Sequence, residues 1–565
     1  MSLPSGTATP ESGSDLEHVE DTADHPSADE EEERDGTGSD SDSVTRRRLH
    51  VAIIGGGITG LTLALGLSAR GVRYTVYERS ASLRETGAGV GLSSNAERAL
   101  RAVDARAHAA FKRVAAPGAS GGDWFDWVDG TTDQLAFRLR TRINDDGDSG
   151  GGDGEGEGEA FQGCRRSDLL EGLARLVELE EGDVRFGKAV DAIEGWGKEG
   201  GDEGVEEGKR EVGKVVLRFR DGTTEEADVV IGCDGIHSRV RQLLLGEDNP
   251  ASYATYTQKF CFRTVIPMAQ VKTRPELAHR MNARVMFNGP GAHIMTYPIG
   301  AEADILNILL VISDPPSSSP PAVPHQHQEK AKPNGLETAK RLPAARASKR
   351  DAVTAFATWH PTIRGIVDLL PDDEDGDGED GEDKGALRWD IYDMHEHPAP
   401  HYVRGRVCLA GDAAHASTPH LGSGAGFGIE DALALATVLE ALDKEVTATD
   451  AANNGSGELE PVVGKEIVGN GSTRGNGRAR LCRAALAAYN DVRYERTQWL
   501  PGASREACAL FEWEDEAGRH GKKDPAWFGS EITRRFYYIW KYDVDGMVQD
   551  VATKFRERVG DNGTL

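Results

Sequence analysis

The chain has 565 residues, with 94 Asp and Glu against 65 Lys and Arg and a formal net charge of −29, a balance that excludes a basic nucleic-acid-binding body. Almost all of the excess falls in three Gly-, Ser-, Asp- and Glu-rich segments: residues 1–45 carry −13, residues 144–160 carry −7 and residues 371–384 carry −8. Such stretches bury too little apolar surface to offset chain entropy, so they are expected as solvated tails and inserts around a nearly neutral body.

The opening Met1-Ser2-Leu3-Pro4-Ser5-Gly6 leads into acid, and no run of 18 apolar residues occurs. Neither a secretory signal nor a membrane span is expected. Six widely spaced cysteines without a CxxC pair fit a reduced, cytoplasmic setting. The first apolar run, Leu49-His50-Val51-Ala52-Ile53-Ile54, stops at three glycines, as a buried parallel strand would. Residues 61–70 read as a helix closed by Gly71, and Val72-Arg73-Tyr74-Thr75-Val76-Tyr77 as a second strand that ends at Glu78. Between them lies Gly55-Gly56-Gly57-Ile58-Thr59-Gly60, a G-x-G-x-x-G fingerprint. Gly55 allows the turn, Gly57 lets the backbone approach a pyrophosphate and Gly60 lets helix and strand pack closely. Glu78 is placed to accept hydrogen bonds from ribose hydroxyls.

Further along, Ala227-Asp228-Val229-Val230-Ile231-Gly232-Cys233-Asp234-Gly235 is another apolar strand, running into Ile236-His237-Ser238-Arg239-Val240-Arg241. Arg406-Val407-Cys408-Leu409-Ala410-Gly411-Asp412-Ala413-Ala414-His415 ends a strand in Gly-Asp. After it come the small residues of Pro419-His420-Leu421-Gly422-Ser423-Gly424-Ala425-Gly426 and a helix expected from near Phe427, with Ile429, Leu433, Ala436 and Leu439 facing the core.

These three motifs, in this order, resemble those of the FAD-dependent aromatic hydroxylases, the single-component flavoprotein monooxygenases, and in particular salicylate hydroxylase and its fungal relatives. Lesser likenesses are Gly87-Ala88-Gly89-Val90-Gly91-Leu92, Arg166-Ser167-Asp168-Leu169-Leu170, His293-Ile294-Met295-Thr296-Tyr297-Pro298 and Ile539-Trp540-Lys541-Tyr542-Asp543. The resemblance implies an α/β fold: a Rossmann-like FAD-binding domain, a second α+β substrate domain containing a mixed β-sheet, and C-terminal helices. The expected layout is a disordered acidic tail (1–47), FAD-binding parts at 48–143, 161–250 and 401–446, and an acidic insert at 144–160. A substrate domain at 251–400 has disordered inserts near 314–350 and 371–385. A low-complexity insert at 447–478 precedes a helical region at 479–565.

The resemblance further implies FAD as cofactor, held through Gly55, Gly57, Gly60, Glu78, Gly91, Arg166, Asp234, Asp412, Gly424 and Ala425. NAD(P)H is a transient co-substrate, because only one dinucleotide fingerprint exists. Reduced flavin and O2 would then form a C4a-hydroperoxide that hydroxylates a phenolic or aromatic-acid ring, with or without loss of CO2. Two alternatives stay open: epoxidation or hydroxylation of a larger secondary metabolite, and a non-catalytic flavin-binding scaffold. No nucleic-acid partner is expected, and the oligomeric state is unassigned.

Candidate catalytic residues are His420, in the loop expected beside the flavin, where an imidazole can pair with a carboxylate or take a phenol proton, and Arg241, as a clamp on nicotinamide or flavin phosphates. His293 and Tyr297 share one face of an expected strand with Met295, because side chains alternate. Phe262 is placed as a substrate contact, next to Arg263. His415 reads as structural. No metal site is expected: His395-Glu396-His397 with His401 matches no zinc spacing.

Overall fold

Short apolar strands that stop at glycine build a six-stranded sheet in the order Val403–Arg404, Val407–Leu409, Val229–Gly232, His50–Ile54, Arg73–Tyr77, Val184–Arg185, parallel except for its first strand. The computed structural model describes residues 48–83, 89–116, 124–144, 158–179, 183–197, 213–314, 349–372, 388–455, 471–515 and 518–560. The acidic tail, most of the insert at 144–160 and the stretches 315–348 and 373–387 lie outside the described residues.

Helix Ile58–Ala69 packs against this sheet, and helix Gly424–Gly455 packs in turn on that helix. They approach so closely that a Cβ on Gly66 would lie 2.8 Å from the Ala436 Cβ. Ile429, Leu433, Ala436 and Leu439 are all buried there, as their spacing requires. The long helix begins at Gly424, three residues before the expected start at Phe427.

A second, seven-stranded mixed sheet runs Arg388–Asp393, Thr255–Pro267, Ile305–Ser313, Ala292–Ile299, Arg284–Gly289, Trp124–Asp129, Gln134–Arg140. The last two strands correct the layout read from sequence, which left 48–143 wholly in the nucleotide-binding part. Arg284–Gly289 pairs in parallel with Trp124–Asp129, and Phe125 and Trp127 bury against Phe536 of helix Pro525–Trp540. The stretch 447–478 also differs from a plain insert. Its ends continue helices Gly424–Gly455 and Gly471–Phe511, and residues 456–470 lie outside the described residues.

Register separates the two faces of the seven-stranded sheet. Phe262, Leu310, Ile294, Phe287 and Val128 form one cross-strand row, buried with Phe356, Trp359, Ile363 and Ile366 from the short helices Lys349–Ala355 and Pro361–Asp368 and the turn between them. On the opposite face the rows are Tyr297 with Asn307 and Val265, Met295 with Leu309 and Arg263, and His293 with Val311 and Cys261. That face meets the glycine-rich ribbon Gly89–Leu92 and Gln162–Arg165 and the C-terminal helices.

Candidate active site

The fingerprint turn is shaped by steric demand. Gly55 has φ +108°, and a Cβ on it would lie 2.5 Å from the Cys233 carbonyl oxygen, so only glycine can cross the end of strand Val229–Gly232 there. A Cβ on Gly60 would fall 2.0 Å from the Gly55 oxygen. Around Gly57 a Cβ would meet nothing within 4 Å. Protein packing therefore does not demand this glycine, and the space it leaves lies at a helix N-terminus, where an anion is favoured. Glu78 is half-buried; its Oε2 accepts the Gly56 amide and its Oε1 the Ser80 amide, each at 2.8 Å. An open amide-lined turn with an oriented carboxylate beside it fits a dinucleotide.

Asp234 is used locally. Its carboxylate accepts Ser238 Oγ at 2.5 Å and the amides of Arg239 and Val240 at 2.7 and 3.1 Å, capping helix Arg239–Leu245, while burial pushes its pKa up. Arg241, expected as a clamp on phosphates, is fully buried. Its Nε donates to Ala251 O at 2.5 Å and its Nη1 to Ala413 O and Ala414 O at 3.1 and 2.7 Å, and burial lowers its pKa to about 10. The correction is physical: a fully buried guanidinium donating to three carbonyls ties the second motif to the third and offers no exposed face to a phosphate.

Gly411 turns the third motif with φ +60°, and a Cβ there would lie 2.5 Å from Thr59 Oγ1. Its amide donates to Asp431 Oδ2 at 2.9 Å, the same oxygen that pairs with His415 Nε2 at 2.6 Å, while Arg493 Nε donates to Oδ1 at 2.8 Å. Burial opposes the charge on Asp431, yet His415 and Arg493 hold its pKa well below the ordinary carboxylate range. With the corner held this way, Asp412 is exposed. Among the described residues its carboxylate takes no hydrogen bond, and a Cβ on Gly424 would lie 3.7 Å from its Oδ1. Gly424 and Ala425 open the long helix, so their amides have no intrahelical acceptor.

Other expected cofactor residues fall in two places. Arg166 is half-buried at the start of helix Arg166–Leu179. Gly91 lies in the ribbon, where a Cβ would meet the Phe161 ring at 2.0 Å, so packing alone already demands a glycine there. In the same ribbon, a Cβ on Gly163 would strike the Tyr297 ring at 2.6 Å.

On the substrate sheet, Tyr297, Met295 and His293 share one face, as alternation predicts. Burial pushes the Tyr297 phenol well above its ordinary pKa, with the Arg263 charge pulling the other way. Phe262 corrects the sequence reading. It is fully buried on the opposite face, and of the adjacent pair it is Arg263 that shares the Tyr297 side.

His293 and His420 meet directly, Nε2 to Nδ1 at 3.2 Å, joining the substrate sheet to the loop after the Gly-Asp corner. Behind them His293 Nδ1 pairs with Glu512 Oε1 at 3.1 Å, and Glu512 Oε2 accepts Lys259 Nζ at 2.5 Å and Ser313 Oγ at 2.6 Å. Burial works against the Glu512 charge, but the bond from His293 and the Lys259 ammonium hold its pKa well below the usual range. Burial, followed by the neighbouring His293, pushes His420 well below an ordinary imidazole. Cys508 donates its thiol to Glu512 Oε1 at 3.4 Å.

Sequence reasoning missed Lys259, Glu512, Asp431 and Arg493. The available signal was acid on apolar ground: Glu512 follows Cys508-Ala509-Leu510-Phe511, and Glu430 and Asp431 fall between Ile429 and Ala432 in a helix stretch buried without a break over 426–436.

A parallel nucleotide sheet, a Gly-Asp corner and a second sheet facing it define a flavin-dependent oxidoreductase. The chain matches the FAD binding domain family over residues 48–321 and 377–452. It is 40% identical over 523 residues to FAD-dependent monooxygenase orf3 of Aspergillus niger, covering 90% of this chain and 98% of that protein. It is 33% identical over 537 residues to salicylate hydroxylase asL1 of Sarocladium schorii, covering 93% and 95%. The fold resembles that of a salicylate hydroxylase substrate complex, with a TM-score of 0.63 at 24% identity over 90% of this chain and 98% of that one. The chain belongs to the FAD-dependent monooxygenases.

Proposed function

We propose that this protein hydroxylates a phenolic or aromatic-acid ring with O2 and NAD(P)H, as a cytoplasmic enzyme. Among the described residues no helix is long and apolar enough to cross a membrane. Bound FAD, once reduced, supplies the activated oxygen. Gly57 and the first-turn amides after it receive the pyrophosphate, Glu78 the ribose, Arg166 a phosphate or the ribityl region, Asp412 the ribityl chain, and the Gly424 and Ala425 amides the ring system. Tyr297 and His293 line the substrate side with Arg263, and His420 takes the proton of a ring hydroxyl.

The observation that carries this reading is the 3.2 Å contact of His420 with His293. It brings a titratable group from the flavin-side loop onto the face of the substrate sheet that also holds Tyr297.

The test is FAD-loaded protein assayed for NAD(P)H oxidation, O2 uptake and product mass over a panel of phenols, salicylate and larger polyhydroxylated aromatics, with CO2 collected. Aromatic-stimulated oxidation is expected, coupled to a product heavier by one oxygen or, where CO2 is released, to one that has gained one oxygen and lost CO2. Flavin-loaded protein that ignores every ring in the panel overturns the proposal.

A further inference from the structure

We infer that Lys259, Glu512 and His293 form a buried positioning chain that presents His420 with a bare Nε2, so that the pocket selects a ring hydroxyl, a donor, over a ring carboxylate at that point. This rests on the hydroxylase reading above and deepens it.

The direction of each hydrogen bond follows from the one before. Lys259 Nζ and Ser313 Oγ both donate to Glu512 Oε2, which leaves Oε1 as an acceptor. His293 Nδ1 therefore carries the proton in its 3.1 Å bond to Oε1. A neutral imidazole protonated at Nδ1 has its lone pair at Nε2, so the 3.2 Å contact is donated by His420 Nδ1. His420 Nε2 is then unprotonated, and among the described residues nothing hydrogen-bonds it.

Charge counting points the same way. Lys259 already balances Glu512, so a proton added to the imidazole pair would be an unpaired charge in a buried site. A carboxylate would meet a lone pair at His420 Nε2, whereas a phenol donates to it. When the phenol O–H breaks, its proton moves to Nε2 and its electron pair stays on the ring oxygen. The resulting imidazolium keeps Nδ1–H on His293, whose orientation Glu512 holds, by the logic of an acid-oriented histidine in a triad. Other groups facing this cluster are Cys508, Glu514, the His520 imidazole on the Glu512 carbonyl at 3.0 Å, and Tyr297 with Arg263 farther along the sheet.

The His293 substitutions separate chain direction from mere packing. Gln at 293 can donate to Glu512 and accept from His420, preserving the direction, while Leu at 293 cannot. With FAD-loaded enzyme and resorcinol, His293→Leu and Glu512→Gln should each lower kcat/KM about 100-fold and move the acid limb of its pH profile, while His293→Gln recovers most of the loss. Resorcinol should be preferred to benzoate, which offers a carboxylate and no ring hydroxyl, in wild type.

Independently of turnover, 15N spectra of ring-labelled histidine in wild-type protein should show His420 protonated at Nδ1 and bare at Nε2, assigned by loss of its signals in His420→Gln. The opposite tautomer overturns the chain, even if the His293 and Glu512 variants fail to fold. So does wild-type phenol turnover that His293→Leu leaves intact, or a preference for the carboxylate ring. Failure of wild type to turn over any ring, with the tautomer as described, sinks only the hydroxylase reading. Zinc co-purifying with His293, His420 and Cys508, whose ligand atoms lie within 4.8 Å of one another, would also replace the hydrogen-bonded chain.

Discussion

Two buried carboxylates, Asp431 and Glu512, are built alike and put to different ends. Each faces one histidine and one cation, Asp431 with His415 and Arg493, Glu512 with His293 and Lys259. Asp431 spends its remaining capacity on the Gly411 backbone amide and so fixes a corner of main chain. Glu512 instead hands its orientation through His293 to a second imidazole. The same ion-paired acid can fasten a loop or aim a titratable side chain, and what distinguishes the two is the group at the far end. The nucleotide side accordingly relies on backbone shape, and the substrate side on side-chain direction.

The largest effect expected on this contrast is at the backbone-shaped side. Gly60→Val places side-chain atoms where a Cβ alone would already sit 2.0 Å from the Gly55 oxygen. The purified variant should lack flavin absorbance or fail to fold; normal flavin content would show that the turn is not sterically set. Next comes Asp431→Asn, which leaves the buried guanidiniums of Arg493 and Arg496 with Glu430 as their one remaining carboxylate among the described residues. A loss of about 3 to 5 kcal/mol in denaturant unfolding is expected, together with weaker FAD retention. Retention equal to wild type would mean the corner does not depend on its anchor.

Smaller changes sharpen the division between the two faces of the substrate sheet. Phe262→Leu should cost about 1 kcal/mol of stability and leave KM for the ring substrate unchanged in steady-state assays. A several-fold change in KM would return Phe262 to the pocket.

The smallest effect concerns His50, at the start of the first strand, which pairs with the Glu226 carbonyl and Thr75 and whose pKa burial and Arg73 lower to about 4. The unfolded chain binds a proton there below about 6.5 and the folded one does not until near 4, so this contribution to stability is full above 6.5 and is lost as pH falls toward 4. In His50→Gln the melting temperature should fall less steeply over that window than in wild type. Equal slopes would assign the acid sensitivity elsewhere.

What could be read from sequence follows the same division. Gly55 and Gly60 were legible because each answers a steric constraint within its own motif, where a missing side chain is itself the signal. The His293, Met295 and Tyr297 face was legible through alternation. The Lys259 to His420 chain was not, since its four members come from one strand, the end of a long helix, a second strand and a loop. Phe262 and Arg241 were misread for a related reason: residue type suggested chemistry, while the sheet face in one case and three carbonyl partners in the other decided where the side chain went.

The Arg241 bridge also bears on how this chain accommodates its long low-complexity segments. One guanidinium fastens carbonyls 172 and 173 positions downstream, so the ends of everything between them are pinned regardless of what is spliced into the interval. Segments 315–348 and 373–387 both lie inside that interval, and lengthening a tethered loop adds entropy only logarithmically. Evolution is thereby free to vary these stretches while the distance between the second and third motifs stays constant.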